Sequence, residues 1–579
     1  MGKDCYIGSR RVDDGDFQVV SWDAPVSQRL FYGQRRARCT VDGELAVRRT
    51  FEHDDEDIAS IHDEWLMPIE PSPFSSTLAV PTPNEVGSHR RRRGKRREGP
   101  GAPQSSEASS RSDSELTGLE DMRAPSAVLS KLSSPRTATL RSVLATLQPD
   151  QFDVVSEPSD GDVIVQGHPG TGKTVVAAYR SAFLVSPERG RAKANSVLLV
   201  GPTPQYVEHV RDLLRPLDRD GRVTITHIAH VLDQAVSIKG QWLGGIGGEH
   251  DEVDARAQVF GVLAEERLRS RTVSSNPRVA RREHIRMLYE LVRNNGDAHG
   301  PLSEHPADVA WMNRLPSFDQ AVRLRRYLPL LAQLARTFDD VRTGDQFDHV
   351  VVDEAQDLSP IEWNVLEQHL RQGGHWTLVG DMNQRRSAAT YPSWMEVARH
   401  LGLRHNGTAV EPTALRRGYR STTPILRFAD RLLLASERGA SSIQSDGPEP
   451  AVRHIASRDA LIPEALASAS RLLTEHPGGT VAIITMDPGM VIDRLGRQGW
   501  RRGQTATTWT TAELSLSVLA PENARGLEFD GVVVIEPGVF PENQGRAGQL
   551  YTSLTRANRE LEVVWHRSLP PPLRTAGRG

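Results

Sequence analysis

The chain has 579 residues, and at about 150 residues per domain this length predicts roughly four folding units. Its residues are 38% hydrophobic and 25% charged, and no run approaches about 18 apolar residues, so a membrane-spanning protein is excluded. A net charge of −3 excludes a polycation that coats nucleic acid with its whole surface, and any nucleic-acid site must be local. The two cysteines, Cys5 and Cys39, are too few for a disulfide framework or a zinc site, and we expect a cytoplasmic protein.

The first elements in chain order predict a small β-rich unit over residues 1–67. Residues 17–22 are apolar and β-favouring, and the Asp42-Gly43 pair between two strand-like runs is a hairpin signal. Residues 68–125 are rich in Pro, Ser, Gly and Arg, which predicts a disordered linker. The basic run at residues 90–97 is either a tether for nucleic acid or an acidic protein, or a solvated stretch of linker.

From about residue 126 apolar strand-like runs alternate with helical patterns, which predicts a mostly parallel sheet covered by helices. Residues 126–404 are predicted to form the first such domain, and amphipathic patterns at about 231–340 predict a helical insertion within it. Residues 405–572 repeat the alternation and predict a second domain, followed by a flexible tail at 573–579. The predicted fold class is α/β, with two tandem domains of one parallel sheet each.

A glycine-rich loop in the first predicted domain carries the strongest chemical signal. Residues 167–174 read G-x-x-x-x-G-K-T, directly after an apolar strand and before a helix. Gly167, Gly170 and Gly172 let the loop curl so that backbone N–H groups face a phosphate. Lys173 is expected to bind the β- and γ-phosphates, and the Thr174 hydroxyl is expected to ligate Mg²⁺. The loop therefore predicts a site for a nucleoside triphosphate with Mg²⁺ as cofactor.

A second strand supplies the acids that a nucleotide site needs. Three valines at residues 350–352 predict a buried strand, and Asp353 and Glu354 follow at its carboxyl end, where ligands of open α/β sheets bind. We expect Asp353 to hold Mg²⁺ and Glu354 to polarise the attacking water.

Further motifs resemble those of the superfamily 1 helicases of the UvrD/Rep type, in the family's order and spacing: DEAQD, GDMNQ, LRRGYRS, ARGLEFD and LYTSLTRA. The resemblance extends over about residues 135–570. It implies two tandem RecA-like P-loop domains that hydrolyse ATP between them. It also implies movement along single-stranded DNA, in the 3′ to 5′ direction of the family.

The resemblance also implies which residues surround the base and the ribose. Gln151 matches the glutamine that reads the adenine edge, and Tyr419 matches the aromatic residue that stacks on adenine. Glu528 matches an acid near the ribose.

Three more matches concern the γ-phosphate. Gln384 matches the family's γ-phosphate sensor, which links hydrolysis to movement. Arg420 and Arg556 match two arginines that reach the γ-phosphate, and Arg556 would do so across the cleft as an arginine finger.

The sequence departs from classical UvrD/Rep helicases in two places. The usual aromatic-Arg stretch after GDMNQ is replaced by RRSAATYPSW, where Tyr391 or Trp394 either stacks on a DNA base or packs in the core. The segment between Arg420 and Gly526 is long enough to continue the second domain but too short for the helical arm that classical members insert there.

These departures resemble the HelD-like branch, whose ATPases bind RNA polymerase and release it from stalled complexes. The start of the chain, including YIGSRRVDDGDFQVVSWDAP, is similar to the start of that branch, with Asp23 in place of an arginine. Members usually begin with a long antiparallel coiled coil; only four residues precede Cys5 here, and we expect this coiled coil to be lacking.

Three functions are compatible with these patterns: a motor on single-stranded DNA or RNA, an ATPase that remodels RNA polymerase, and a nucleotide-gated binding protein. The third is disfavoured because the full set of hydrolytic residues is present. Stimulation of ATP hydrolysis by single-stranded DNA or RNA would distinguish the first function from the second.

Overall fold

The computed structural model describes residues 6–8, 12–13, 18–24, 27, 47–54, 57–65, 147–187, 194–218, 220–236, 253, 256, 260, 277–294, 306–336, 346–405, 407–439, 441–503, 507–511, 514–541 and 548–574. The predicted linker at 68–125, with its basic run, and the Asp42-Gly43 pair lie outside the described residues.

Strands and helices alternate along most of the described chain. The strands are β1 (Tyr6–Gly8), β2 (Val12–Asp13), β3 (Gln18–Ser21), β4 (Val47–Asp54), β5 (Asp57–Trp65), β6 (Val163–Gly167), β7 (Val197–Gly201), β8 (Val223–His227), β9 (Phe347–Asp353), β10 (Leu370–Gly380), β11 (Arg404–His405), β12 (Thr408–Ala409), β13 (Thr413–Leu415), β14 (Arg417–Gly418), β15 (Ser441–Ser442), β16 (Ala451–His454), β17 (Val481–Ile484), β18 (Arg501–Arg502), β19 (Thr508–Thr510), β20 (Ser515–Leu519), β21 (Phe529–Ile535) and β22 (Ala557–Trp565). The α-helices are α1 (Pro149–Val155), α2 (Lys173–Val185), α3 (Pro204–Leu214), α4 (Ile228–Val236), α5 (Pro277–Arg293), α6 (Pro306–Met312), α7 (Phe318–Ala321), α8 (Leu328–Arg336), α9 (Pro360–Leu366), α10 (Trp394–Leu401), α11 (Thr423–Ala429), α12 (Arg458–Glu475), α13 (Pro488–Arg497) and α14 (Gly548–Leu554). In the part of the chain that is described, no helix combines the length and apolar character needed to cross a membrane.

The first sheet is parallel throughout its described strands, in the order β13-β6-β10-β9-β7-β8. Its inner strands are apolar on both faces; β7, for example, is buried along its whole length. This is the pattern of a parallel sheet with helices on both sides. The predicted α/β class is thus observed, and the loops after β6, β9 and β10 meet at one edge of the sheet.

Two hydrophobic cores lie on the two faces of this sheet. Alternate residues of β9 divide between them, because side chains in a strand point to opposite faces: Val351 packs with helix α2, and Val350 and Val352 pack with α5 to α8. The described parts of the predicted insertion at 231–340 are helical, and Leu288 and Leu331 are fully buried there. These helices therefore cover one face of the sheet.

The first sheet extends past the domain boundary predicted at residue 404. Strand β13 pairs in parallel with β6, with Thr413 opposite Val165 and Leu415 opposite Gly167. Strand β13 follows the short hairpin of β11 and β12 and has only three residues, so the sequence pattern does not predict it. The chain leaves the first sheet after Leu415.

The second sheet has the order β16-β22-β21-β17-β20-β19-β18. The pairs from β16 to β20 are parallel, and β18 and β19 add an antiparallel edge. Leu573, the first residue of the predicted tail at 573–579, is fully buried in the core of this sheet, and residues 575–579 lie outside the described residues.

The described N-terminal residues form strands, and Trp22 and Ile7 contact the first domain. Strands β1 to β3 make a small sheet, and β4 pairs with β5 in an antiparallel hairpin that turns between Asp54 and Asp57. The Trp22 ring lies 5.1 Å from the Tyr179 ring and nearly perpendicular to it. Since Tyr179 belongs to α2, this segment packs on the helix that follows the glycine-rich loop.

Candidate nucleotide site

The loop between β6 and α2 owes its shape to its glycines. Gly170 and Gly172 have φ angles of +74° and +81°, which residues other than glycine rarely adopt. A Cβ atom on Gly167 would lie 2.5 Å from Cγ of Lys173. The three predicted glycines therefore have steric reasons to be glycine, and the lysine side chain folds back over the loop.

Lys173 and Thr174 open helix α2 directly after the loop. The Lys173 ammonium donates to the Gly167 carbonyl at 3.1 Å. The first N–H groups of a helix have no intrahelical acceptor, and the helix dipole adds positive potential there. Backbone and side chain thus both favour an anion at this end of the helix.

Asp353 ends strand β9 and is 3% exposed. Its Oδ1 accepts from the Glu354 amide at 2.9 Å, whereas its buried Oδ2 makes no hydrogen bond of ordinary geometry among the described residues. The hydroxyls of Thr174 and Tyr206 are its polar neighbours. Burial and the neighbouring Glu354 charge raise the pKa of Asp353 to about 6. An unsatisfied buried carboxylate oxygen beside the Thr174 hydroxyl fits a hard cation such as Mg²⁺, which needs few protein ligands when it also binds phosphate.

Glu354 adopts a φ of +54°, which is uncommon for a residue other than glycine. Burial opposes its ionisation, but the Lys173 charge and a hydrogen bond from the Gln356 amide leave the pKa of Glu354 below its ordinary value. Glu354 also lines the cleft beside Lys173. The carboxylate is therefore ionised at neutral pH and available as a base.

Gln384 joins the two sheets. It ends a helical turn (Met382–Gln384) after β10, and its Nε2 donates to Asp381 Oδ2 at 2.8 Å. Its Oε1 accepts from Arg556 Nη2, also at 2.8 Å. The two side chains therefore connect the two sheets by a direct hydrogen bond.

Arg556 comes from the second sheet, between α14 and β22. It is 8% exposed, and its other donors bond to the carbonyls of Thr552 at 3.0 Å and Leu527 at 3.3 Å. Burial lowers the pKa of Arg556, though nearby Glu354 opposes the shift. A guanidinium stays charged in a protein under such conditions, so a fixed positive charge faces the glycine-rich loop.

Arg420 lies at the junction of the two walls rather than on the second wall alone. The amide of the preceding Tyr419 donates to the Gly170 carbonyl at 2.9 Å, which fixes this backbone on the first-sheet side. The Arg420 side chain forms an ion pair with Glu528 of the second-sheet side. Glu528, predicted to lie near the ribose, is the partner of Arg420 in this structure.

The residues predicted to surround adenine are buried and hydrogen-bonded. Gln151 caps helix α1, where its Oε1 accepts from the Gln148 amide at 3.0 Å and its Nε2 donates to the Thr171 carbonyl at 2.9 Å. The Tyr419 hydroxyl donates to Asp150 at 2.7 Å. Both side chains are fully buried, so their adenine contacts stay a prediction.

One cleft collects most of the predicted site. The predicted residues that line it are Gly170, Gly172, Lys173, Thr174, Glu354, Arg420, Glu528 and Arg556. Gly167, Asp353 and Gln384 lie behind this lining, and Gln151 and Tyr419 do not reach it.

Comparisons with known proteins agree with these motifs. Residues 153–390 match the family model described as AAA domain, and residues 1–76 match the one described as DNA helicase IV HelD, N-terminal domain. The ATP-dependent DNA helicase UvrD2 of Mycobacterium tuberculosis is 27% identical over 382 residues, covering 59% of this chain and 52% of the relative. UvrD2 of Mycobacterium bovis has the same identity and the same coverage. These matches confirm the predicted resemblance to UvrD/Rep-type superfamily 1 proteins, with HelD-like features.

The chain spans about half the length of the curated relatives it matches. Among solved structures, the C-terminal domain of a possible DNA helicase from Lactobacillus plantarum WCFS1 is 25% identical, with a TM-score of 0.22. That match covers 28% of this chain and 94% of the other.

Two residues at the interface of the sheets were not among the predicted site residues. Arg525 Nη1 donates to Asp357 Oδ2 at 2.5 Å and to the Gln384 carbonyl at 3.0 Å. Both residues stand inside recognised motifs, DEAQD and ARGLEFD. Their place in these motifs was the sequence signal that could have marked them as site residues. The sequence does not indicate that Asp357 pairs with Arg525, because the two residues are far apart along the chain.

The aromatic candidates for base stacking differ in their surroundings. Trp394 is 5% exposed, and its Nε1 donates to Gln166 at 2.6 Å. It is a core residue, which settles the open alternative for this position. Tyr391 is half-buried, with its ring 5.4 Å from that of His400.

Proposed function

We propose that this protein is an ATP-dependent superfamily 1 helicase or translocase that hydrolyses ATP between two RecA-like domains and moves along single-stranded DNA in the 3′ to 5′ direction. The observation that carries the proposal is the meeting of both sheets at one cleft. Lys173 and Glu354 come from the first sheet, and Arg556 and Glu528 come from the second. Phosphoryl transfer depends on such positioned charges more than on covalent chemistry.

The first-sheet side would bind the triphosphate and activate water. The glycine-rich loop and the Lys173 ammonium present donors to the phosphate oxygens. Glu354, ionised because Lys173 and Gln356 outweigh its burial, would accept a proton from the attacking water. Glu354 lines the cleft and has an unusual φ of +54°.

Thr174 and Asp353 would hold Mg²⁺, in keeping with the unsatisfied buried Oδ2 of Asp353. Bound there, the cation neutralises charge on the phosphate oxygens. It would also favour the ionised form of Asp353, whose pKa burial otherwise raises to about 6.

The second-sheet side would respond to the γ-phosphate. Arg556 already contacts Gln384 across the cleft at 2.8 Å. An incoming γ-phosphate competes with Gln384 for Arg556 and with Glu528 for Arg420, since both guanidinium groups now pair with protein acceptors. Exchange of these partners would link hydrolysis to relative movement of the sheets.

Single-stranded DNA is the proposed track because the relatives are named DNA helicases. The test is steady-state ATP hydrolysis by the full chain, alone and with single-stranded DNA or RNA. Lys173→Ala serves as the inactive reference, and Arg494→Ala, an exposed position on α13, serves as the matched control. Equal rates for the wild type and Lys173→Ala would remove the proposal.

A second function, binding and recycling of RNA polymerase, is favoured by the HelD N-terminal match at residues 1–76. It predicts ATP hydrolysis that is indifferent to single strands and co-purification of the chain with RNA polymerase. Strong stimulation by single-stranded DNA without such co-purification would decide against it.

A further inference from the structure

A partly buried contact between the two sheets lies behind the cleft, outside the residues expected to touch ATP. Arg525, from the second-sheet side, has 18% of its side chain exposed, and its partner Asp357, from the first, has 15%. Their 2.5 Å contact joins Nη1 to Oδ2. A charge-assisted hydrogen bond of this kind, away from most solvent, is stronger than an exposed ion pair.

Both carboxylate oxygens of Asp357 are engaged, each by a different sheet. Oδ1 accepts from the backbone amide of Arg386 at 2.7 Å, within the first-sheet side. Oδ2 accepts from Arg525 of the second-sheet side. Asp357 therefore ties Arg525 to the segment that begins two residues after Gln384.

Arg525 also reaches Gln384 itself. The same Nη1 donates to the Gln384 carbonyl at 3.0 Å, while the Gln384 side chain accepts from Arg556 at 2.8 Å. Gln384 is thus held from the second-sheet side at its backbone and at its amide. Removal of Arg525 leaves only the side-chain contact.

We propose that Arg525 is a positioning residue that, together with Asp357, holds the segment of residues 381–386 so that the Gln384 amide meets Arg556. This inference rests on the proposed ATP hydrolysis for its kinetic consequence, but not for its structural one. Arg525 acts through Gln384 and does not line the cleft itself. Its neighbours Gly526 and Glu528 do, so movement of this segment reaches the cleft directly.

The structural test is hydrogen exchange of the nucleotide-free full chain, read by mass spectrometry on peptides that cover residues 381–390. Arg525→Ala is expected to speed exchange there, because the guanidinium no longer holds Asp357, whose Oδ1 accepts from the Arg386 amide, in place. Arg525→Lys should give an intermediate rate, since an ammonium is a point donor without the planar fork of arginine. Arg494→Ala should leave the rate unchanged. Unchanged exchange in Arg525→Ala would overturn the proposal.

The kinetic test separates positioning from direct ATP binding. Arg525→Ala should lower kcat by roughly 10- to 100-fold, as misplacement of a catalytic group does, with KM changed less than about threefold. Adding Asp357→Ala to the Arg525→Ala variant should lower kcat little further, because the two residues act as one unit. A rise in KM without a fall in kcat, or fully additive losses, would overturn the proposal.

The two hypotheses fail in different ways. If wild type and Lys173→Ala hydrolyse ATP equally slowly while exchange at residues 381–390 still responds to Arg525→Ala, the proposed function is wrong and the positioning role of Arg525 stands. If ATP hydrolysis is intact and exchange at residues 381–390 does not respond to Arg525→Ala, the proposed function stands and the positioning role of Arg525 is wrong.

Discussion

The phosphate end and the adenine end of the candidate site differ in how far their polar groups are satisfied. At the phosphate end, the buried Asp353 Oδ2 makes no hydrogen bond of ordinary geometry in the described chain, and Glu354 holds an uncommon backbone angle. At the adenine end, Gln151 and Tyr419 are buried, and each makes hydrogen bonds within the protein.

The difference indicates where the protein is prepared for ligand. Unsatisfied buried polar atoms and backbone strain cost stability and persist where a ligand compensates for them. The phosphate end therefore has the features expected of a site preorganised for phosphate and a cation. At the adenine end the polar side chains are already hydrogen-bonded within the protein. Adenine would therefore have to bind to the hydrogen-bonding groups of the Gln151 amide that remain unused.

The largest expected effect is at Arg556. Arg556→Ala should lower kcat by about 10³-fold or more, because an arginine finger stabilises charge in the transition state. Binding of ATP should remain nearly intact, since the loop and Lys173 hold the phosphates. Rapid-quench turnover and binding of a fluorescent ATP analogue measure the two quantities.

Arg556 also bonds to two backbone carbonyls, so the alanine variant can lose stability. Arg556→Lys and a thermal melt of each variant provide the control. Equal losses of binding and turnover would place Arg556 in ground-state binding instead.

Glu354→Gln should lower kcat by about 10²- to 10⁴-fold, the usual contribution of a general base. The amide is similar in size to the carboxylate but takes up no proton at neutral pH, so ATP should accumulate on the enzyme. Filter retention of radiolabelled ATP measures this trapping. Unchanged hydrolysis would remove Glu354 as the base and weaken the contrast between the two ends.

Gln151→Ala sharpens the comparison at the adenine end. The amide has one N–H and one lone pair beyond the two hydrogen bonds seen here. Loss of a base contact worth about 1 kcal/mol should raise KM for ATP roughly fivefold and change KM for GTP less. Similar increases for both nucleotides would show that Gln151 acts only through Thr171 and the glycine-rich loop.

The smallest effect is expected for Tyr419→Phe. It removes the hydroxyl that donates to Asp150 at 2.7 Å but keeps the ring. We expect a loss of about 1 kcal/mol in unfolding free energy and little change in kcat. Urea denaturation and steady-state kinetics test this, and a large loss of kcat would mean that the two ends are coupled.

Much of the fold follows from local patterns. The three valines before Asp353 predict β9, and the apolar run before Gly167 predicts β6, because a strand buried on both faces must be apolar throughout. Strand β13 and the buried Leu573 escaped prediction. Three residues carry too little periodicity to predict a strand, and burial of one leucine depends on the distant surface that covers it.

The sequence by itself determined the local elements of the candidate phosphate site, because the glycine-rich loop, Lys173 and the Asp353-Glu354 pair are contiguous motifs whose geometry is local. Only the tertiary structure decided the pairings across the cleft: Gln384 with Arg556, Arg420 with Glu528, and Asp357 with Arg525. The physical reason is that such partners lie more than a hundred residues apart. Their contact depends on how two independently specified sheets pack together, which no local pattern records.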